Sequence, residues 1–145
     1  MIVLEKISTF ELRNLVEIAY KGDSELLDKY WGTDFNLEDA VNETMSLIRE
    51  LENEVPMTHY AVIEDEEEIG YISCFEHNLY SFGININYRT KRLLIEFWEE
   101  IEDVMGKSFI CMLYVKNTRA INWLKTCGMK IVPGFKQEFV TLLNI

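Results

Sequence analysis

Apolar residues along the chain follow a helical spacing first, then a strand spacing, then a mixture of the two. Ile2-Val3-Leu4 is a short apolar run that predicts a strand. Ser8-Thr9-Phe10-Glu11 has the form of a capping box, in which the Ser8 oxygen accepts from the Glu11 amide while Glu11 reaches back. Leu12, Leu15, Val16 and Ala19 follow at helical spacing, so a helix is expected to about Tyr20, stopped by Gly22. Asp23 to Trp31 is expected to add one or two helical turns. Asn36 reads as the N-cap of a second long helix whose inner face is Leu37, Val41, Met45, Ile48 and Leu51, with Pro56 as its outer limit.

The period then changes. His59 to Ile63 reads as a strand, and Glu64-Asp65-Glu66-Glu67-Glu68 as a charged turn. Ile69 to Phe75 is a second strand of this group and Leu79 to Tyr88 a third, with Ile84, Ile86 and Tyr88 on one face and Asn85 and Asn87 on the other. The three form an antiparallel meander. Helical spacing resumes after Arg89, where Leu94, Phe97, Trp98, Ile101 and Met105 make a broad stripe ended by Gly106. Phe109 to Val115 is almost wholly apolar, as a central strand covered on both faces would be. Asn117 to Cys127 predicts a short helix closed by Gly128, and Met129–Val132 and Glu138–Leu143 two final strands. The order β, α, α, β, β, β, α, β, α, β, β predicts an α/β layer fold. Its mixed, mostly antiparallel sheet has about seven strands flanked by four helices, in one domain over residues 1–145.

Charge changes the picture in one respect. The formal net charge is -11, which argues against nucleic acid and against an anionic membrane surface as partners. The excess is uneven. Met1 to Tyr88 holds 19 acidic and 5 basic residues, a balance of -14, whereas Arg89 to Ile145 holds 6 acidic and 9 basic, a balance of +3. No secretion signal and no membrane-spanning run is expected. Three cysteines, Cys74, Cys111 and Cys127, do not form a disulfide framework, so a reducing, cytoplasmic setting is expected. Cys74-x-x-His77 has metal-ligand spacing but lacks two further ligands, and no metal is expected.

The segment Asn117-Thr118-Arg119-Ala120-Ile121-Asn122-Trp123-Leu124-Lys125-Thr126-Cys127-Gly128-Met129 follows a buried strand. It pairs a capping Asn with Ala three residues on, an apolar pair, and Gly followed by a large apolar residue. In this segment and in its element order, over nearly the whole chain, the protein resembles the GNAT (N-acetyltransferase) superfamily. The resemblance implies acetyl-CoA or another acyl-CoA as cofactor and a small-molecule or peptide amine as acceptor. It implies that Ile86, Asn87 and Tyr88 and the loop Arg89-Thr90-Lys91-Arg92-Leu93-Leu94 line the cofactor, together with Asn117.

The sequence departs from the family pattern in two places. Family members carry small residues in that loop, so that backbone amides close on a pyrophosphate. Arg92 and Leu94 stand there instead, and the bulky side chain of Leu94 would obstruct close approach or must point away. Arg89, Lys91 and Arg92 can still bind phosphate by charge. Many family enzymes also place a Tyr general acid one residue after the position of Trp123, where this chain has Leu124. Tyr114 and Tyr88 are the substitute candidates for the acid, and Glu76 and His77 for the base. Trp31, before Gly32, is a candidate for the acceptor side of the cleft.

Three functions follow. The first is an N-acyltransferase, whose acidic first part suits a cationic amine and whose basic second part suits the cofactor. The second is a non-catalytic GNAT-like protein held in a larger assembly by protein partners, similar to accessory proteins of tailed bacteriophages and located in the particle. The third is a module that senses acyl-CoA without transfer.

Overall fold

The computed structural model describes residues 1–26, 36–132 and 139–144. Seven strands, β1 (Ile2–Ile7), β2 (Thr58–Glu64), β3 (Glu67–Phe75), β4 (Asn78–Ile84), β5 (Phe109–Tyr114), β6 (Lys130–Val132) and β7 (Phe139–Asn144), form one sheet in the order β1-β2-β3-β4-β5-β7-β6. Four helices, α1 (Thr9–Tyr20), α2 (Leu37–Glu52), α3 (Lys91–Met105) and α4 (Thr118–Thr126), cover it. The fold class is therefore the α/β arrangement expected from the element order.

The helix ends obey their signals. Ser8 and Glu11 form the reciprocal capping box, with Ser8 Oγ accepting from the Glu11 amide at 3.2 Å. Asn36 caps α2, Thr90 caps α3 and Asn117 caps α4. Gly128 sits at φ 104, and the Met129 amide donates back to the Leu124 carbonyl at 3.0 Å. That is the closing bond of a Schellman turn.

Two apolar layers sandwich the sheet. Leu12, Leu15 and Val16 of α1 and Val41, Met45 and Ile48 of α2 pack with Ala61 and Tyr71 on one face. Phe97 and Ile101 of α3 and Ile121 and Leu124 of α4 pack with Val62, Ile72 and Leu79 on the other. β3 is the strand covered on both sides: Ile69 to Cys74 are all buried. Burying the side chains on the two faces is the main favourable term holding the layers together.

Several expectations are corrected. The acidic turn between β2 and β3 is tighter than a five-residue loop: Glu64 pairs with Glu67, leaving Asp65 and Glu66 at φ 48 and 69. Two successive left-handed residues are the backbone of a type I′ hairpin turn, here without glycine. The third meander strand stops at Ile84 rather than Tyr88. Asn85 ends it because its side chain turns away from any ladder, donating to the carbonyls of Ile18 and Lys21 at 2.8 and 3.0 Å and accepting from the Asn87 amide. Ile86–Tyr88 form a 3-10 turn, so Ile86 and Tyr88 do not share a strand face. β5 is not covered on both faces either: Met112 is 47% exposed. The spacing predicts Ala120, Trp123, Leu124 and Cys127 as the inner face of α4, but Ile121 and Leu124 form it, with Ala120, Trp123 and Cys127 only partly buried. Trp31 and the proposed turns leading to it lie outside the described residues, as does Glu138.

All neighbouring strands are antiparallel except β4 and β5. These two are parallel and pair only at Asn78–Ile110 and Leu79–Cys111. Residues 80–84 and 112–114 run on without pairing to each other, so the sheet splits at its middle and a gap opens towards the strand ends.

Candidate functional site

The gap holds a cavity of about 650 Å³. Phe82, Phe97 and Trp123 line it on the α3/α4 side, and Tyr20, Thr44 and Tyr71 on the α1/α2 side. It thus passes through the sheet from one face to the other. The first wall is aromatic: Phe97 stacks on Trp123 with centroids 5.7 Å apart, and Phe82 lies 6.0 Å from Trp123. The second wall is a chain of hydroxyls. Tyr20 Oη lies 2.8 Å from Thr44 Oγ1 and 3.4 Å from Tyr71 Oη, and Tyr71 Oη lies 2.6 Å from Ser81 Oγ. Burial raises the Tyr20 phenol pKa, against the smaller opposing effect of its hydrogen bonds to Thr44 and Tyr71.

A bulge helps to shape this wall. The register slips between Ser73–Ser81 and Cys74–Leu79, which leaves Tyr80 as the extra residue of β4. A bulge re-aims the side chains around it, and Tyr80 lines the cavity next to Ser81. Burial, followed by the nearby Tyr114 and Glu50, raises its phenol pKa.

Two arginines and one aspartate close the gap at the strand ends. Asp23 is fully buried. Arg119, in the first turn of α4, places Nη2 2.6 and 2.7 Å from its two oxygens, and Arg89 Nη1 lies 2.8 Å away. The Leu26 amide donates to Asp23 Oδ1 at 3.1 Å, and Arg89 Nε donates to the Ile84 carbonyl at 3.0 Å. Burial alone would raise the Asp23 pKa. The Arg119 and Leu26 hydrogen bonds and the two guanidinium charges outweigh it and hold the carboxyl below its ordinary value. Asp23 is the one carboxylate among the described wall residues, and two cations match it. Among the described residues, then, the acidic excess of residues 1–88 contributes only Asp23 to the cavity wall.

The residues singled out from the sequence scatter. Ile86, Arg89, Leu94, Tyr114 and Asn117 line the cavity, and Tyr114 stacks on Phe139 at 4.4 Å. Arg92 does not plug the groove. It is 65% exposed and turns to Glu96 and Glu64, at 2.7 and 3.5 Å. Leu94 does stand in the wall, packed against the core. Thr90 is spent on its cap, Leu93 is in the core, Lys91 is exposed, and Asn87 is outside the wall. Tyr88 donates its hydroxyl to Glu67, which raises its pKa. Glu76 and His77 form the turn before β4, at the paired end of the β4–β5 junction. That is about 20 Å along the strand from the arginines.

Three cysteines and two histidines add no metal centre: among the described residues no three His, Cys, Asp or Glu side chains are grouped to hold an ion. Burial pushes the Cys111 thiol up to about 12 and Cys127 to about 11, so neither is a thiolate nucleophile near neutrality. Among the described residues no helix is long and apolar enough to cross a membrane.

Asp23, Arg119 and the four hydroxyls were not picked out by sequence reasoning. Arg119 lies inside the segment that carries the family resemblance, so its position was visible there. Asp23 is one of 19 acids in its half and nothing local marks it.

Comparison with solved structures supports the fold. An acetyltransferase from Thermus thermophilus superposes with a TM-score of 0.74 at 14% identity, covering 99% of this chain and 96% of that one. The PaiA N-acetyltransferase of Thermoplasma acidophilum, in complex with coenzyme A, gives 0.71 at 17% identity over 99% and 98%. The GNAT domain of S. lividans PAT gives 0.62 at 13% identity over 97% and 88%. The chain has the GNAT fold. No family model and no curated protein sequence matches it.

Proposed function

We propose that the protein is a GNAT-type N-acyltransferase that takes an acyl group from acyl-CoA to an amine in the through-sheet cavity. The observation that carries this reading is the split at β4–β5, with an apolar wall on one face, hydroxyls on the other and arginines at the open end. The neighbour from Thermoplasma acidophilum binds coenzyme A on the same fold.

The residues fit such a cofactor. The edge of β4 over residues 80–83, which does not pair with β5, suits the amides of a pantetheine chain, because an extended amide chain satisfies a free strand edge. Arg89 and Arg119 suit an anionic end by the donors of their guanidinium groups, since Asp23 and Glu25, the latter 3.5 Å from Arg119 Nη1, balance their charge. Leu94 narrows the slot without filling it. Bound acyl-CoA supplies an activated thioester carbonyl. Phe82, Phe97 and Trp123 exclude water from it, and Tyr114 is the acid that returns a proton to the departing thiolate in place of the phenol missing at Leu124.

Leu124 is fully buried and Arg89 is already held by Asp23. These two facts favour a second reading, a GNAT-fold protein without turnover that serves as a partner-binding component of an assembly such as a phage particle. Titration calorimetry with acetyl-CoA, followed by thiol release across a panel of amines, decides between them. Binding with release supports the transferase. Absence of binding at millimolar cofactor rejects it and leaves the second reading.

A further inference from the structure

His59, Ser73 and Ser81 stand in one row across three strands. His59 of β2 pairs with Ser73 of β3, and Ser73 pairs with Ser81 of β4. Directly paired residues of antiparallel strands project to the same side of the sheet. One end of the row is in the cavity, where Ser81 lies in the wall bonded to Tyr71. The other end reaches solvent through Glu52, the last residue of α2, whose side chain is 26% exposed. Between them His59 is 3% exposed and Ser73 not at all.

Polar groups this deep need partners. His59 Nδ1 lies 2.9 Å from Ser73 Oγ, and its Nε2 lies 3.3 Å from Glu52 Oε2. Thr9 Oγ1 donates to the same carboxylate, 3.0 and 2.7 Å from its two oxygens. These partners set the tautomer. A carboxylate only accepts, so Nε2 carries the ring proton. Nδ1 keeps its lone pair and accepts from the Ser73 hydroxyl. The charged group facing His59 is Glu52 from α2. Ile7, its partner on β1, and Ser73 on β3 bring no charge, and Thr9 of α1 meets only Glu52.

We propose that this row is the proton exit of the acyl-transfer site, passing a proton from the bound amine through Ser81 and Ser73 to His59, with Glu52 holding the imidazolium. The inference rests on the transferase reading. Only N–H and O–H bonds change. The amine gives its proton to Ser81 oxygen as Ser81 passes its own to Ser73, and Ser73 passes its own to Nδ1. Each hydroxyl keeps one proton and rotates back, the amine is neutral, and His59 releases its Nε2 proton to water through Glu52. The ring, left as Nδ1–H, returns to the Nε2–H form by proton exchange before the next turnover. The step from Ser81 to Ser73 spans side chains whose Cβ atoms are about 5 Å apart in such pairs, a gap that one hydroxyl rotation or one water closes. Ser73 itself is no nucleophile, because it is fully buried and outside the cavity wall.

The test uses the full chain. The His59 tautomer is read by long-range nitrogen–proton NMR correlation, and kcat and KM are followed against pH for coenzyme A release with an amine. The expected results are Nε2–H in the wild type, and a fall in kcat of about 100-fold in His59→Gln and Ser73→Ala, with KM changed less than about 2-fold and the acidic limb of the profile gone. Glu52→Gln, at the solvent end, folds even if the buried variants do not, and moves that limb to lower pH. Nδ1–H in the wild type overturns the relay, as does an unchanged limb in all three variants while the wild type turns over. No coenzyme A release by the wild type with any amine defeats the transferase reading, and the relay with it.

Discussion

Arg119 reaches Asp23 from 96 residues away in sequence and takes both of its carboxylate oxygens with a single nitrogen, Nη2. The contact ties the end of α1 to the start of α4 across the open end of the sheet. Asp23 is fully buried, whereas Arg119 is partly exposed and also faces Glu25 at 3.5 Å, so removing the carboxylate leaves the two cations short of one partner. Asp23→Asn is expected to cost about 3 kcal/mol in urea unfolding at pH 7. Because the folded carboxyl titrates below its ordinary value of 3.8, its contribution is complete above about pH 5. It is lost as the pH falls through 3.8 and below, and the variant should not show that part of the wild type's acid loss.

The acidic hairpin stores strain. Asp65 and Glu66 both have positive φ, which costs a residue with a Cβ about 1 kcal/mol or more. Glu66→Gly is expected to raise stability by about 1 kcal/mol, read as a higher thermal midpoint.

Gly70 behaves in the opposite way. A Cβ there would stand 2.0 Å from the Gly83 carbonyl oxygen, and backbone cannot step aside as a side chain can. Gly70→Ala is expected to cost about 3 kcal/mol, measured by chemical denaturation.

Leu94 and Arg92 should part company in cofactor binding. Arg92→Ala removes the ion pairs to Glu96 and Glu64, outside the cavity wall, and is expected to leave the acetyl-CoA affinity within about 2-fold. Leu94→Ala opens the slot and is expected to tighten binding while lowering stability by about 2 kcal/mol. Calorimetry and thermal melts on the two variants check both.

Tyr114→Phe is expected to lower kcat for thiol release about 100-fold, as loss of an acid does. Glu76→Gln, at the other end of β4, should change it less than about 2-fold. Steady-state kinetics on the pair separates the two candidates.

The fold was legible wherever a local rule decided it. Ser8 with Glu11, Asn117 with Gly128, and the stripes on α1 to α3 each fix a helix from within a few residues. Strand ends were harder, since Asn85 stops β4 by bonding to carbonyls 64 and 67 residues away. Of the residues named from the sequence for the site, Ile86, Arg89, Leu94, Tyr114 and Asn117 stand in the cavity wall. Asp23 and the row from His59 to Ser81 become visible only through strand register, which no short window of sequence contains. The direction of Arg92 was legible in part: Glu96 is four residues on in the same helix, whereas Glu64 lies on β2.

Among the described residues, two ladder pairs, Asn78–Ile110 and Leu79–Cys111, join β4 to β5. Beyond them no ladder bond joins β4 to β5, and the side chains of Phe82, Phe97 and Trp123 pack along the opening. A seam of that kind can be widened or narrowed one side chain at a time without breaking a ladder. A new guest then requires only a local change of bulk, and the rest of the architecture carries over untouched.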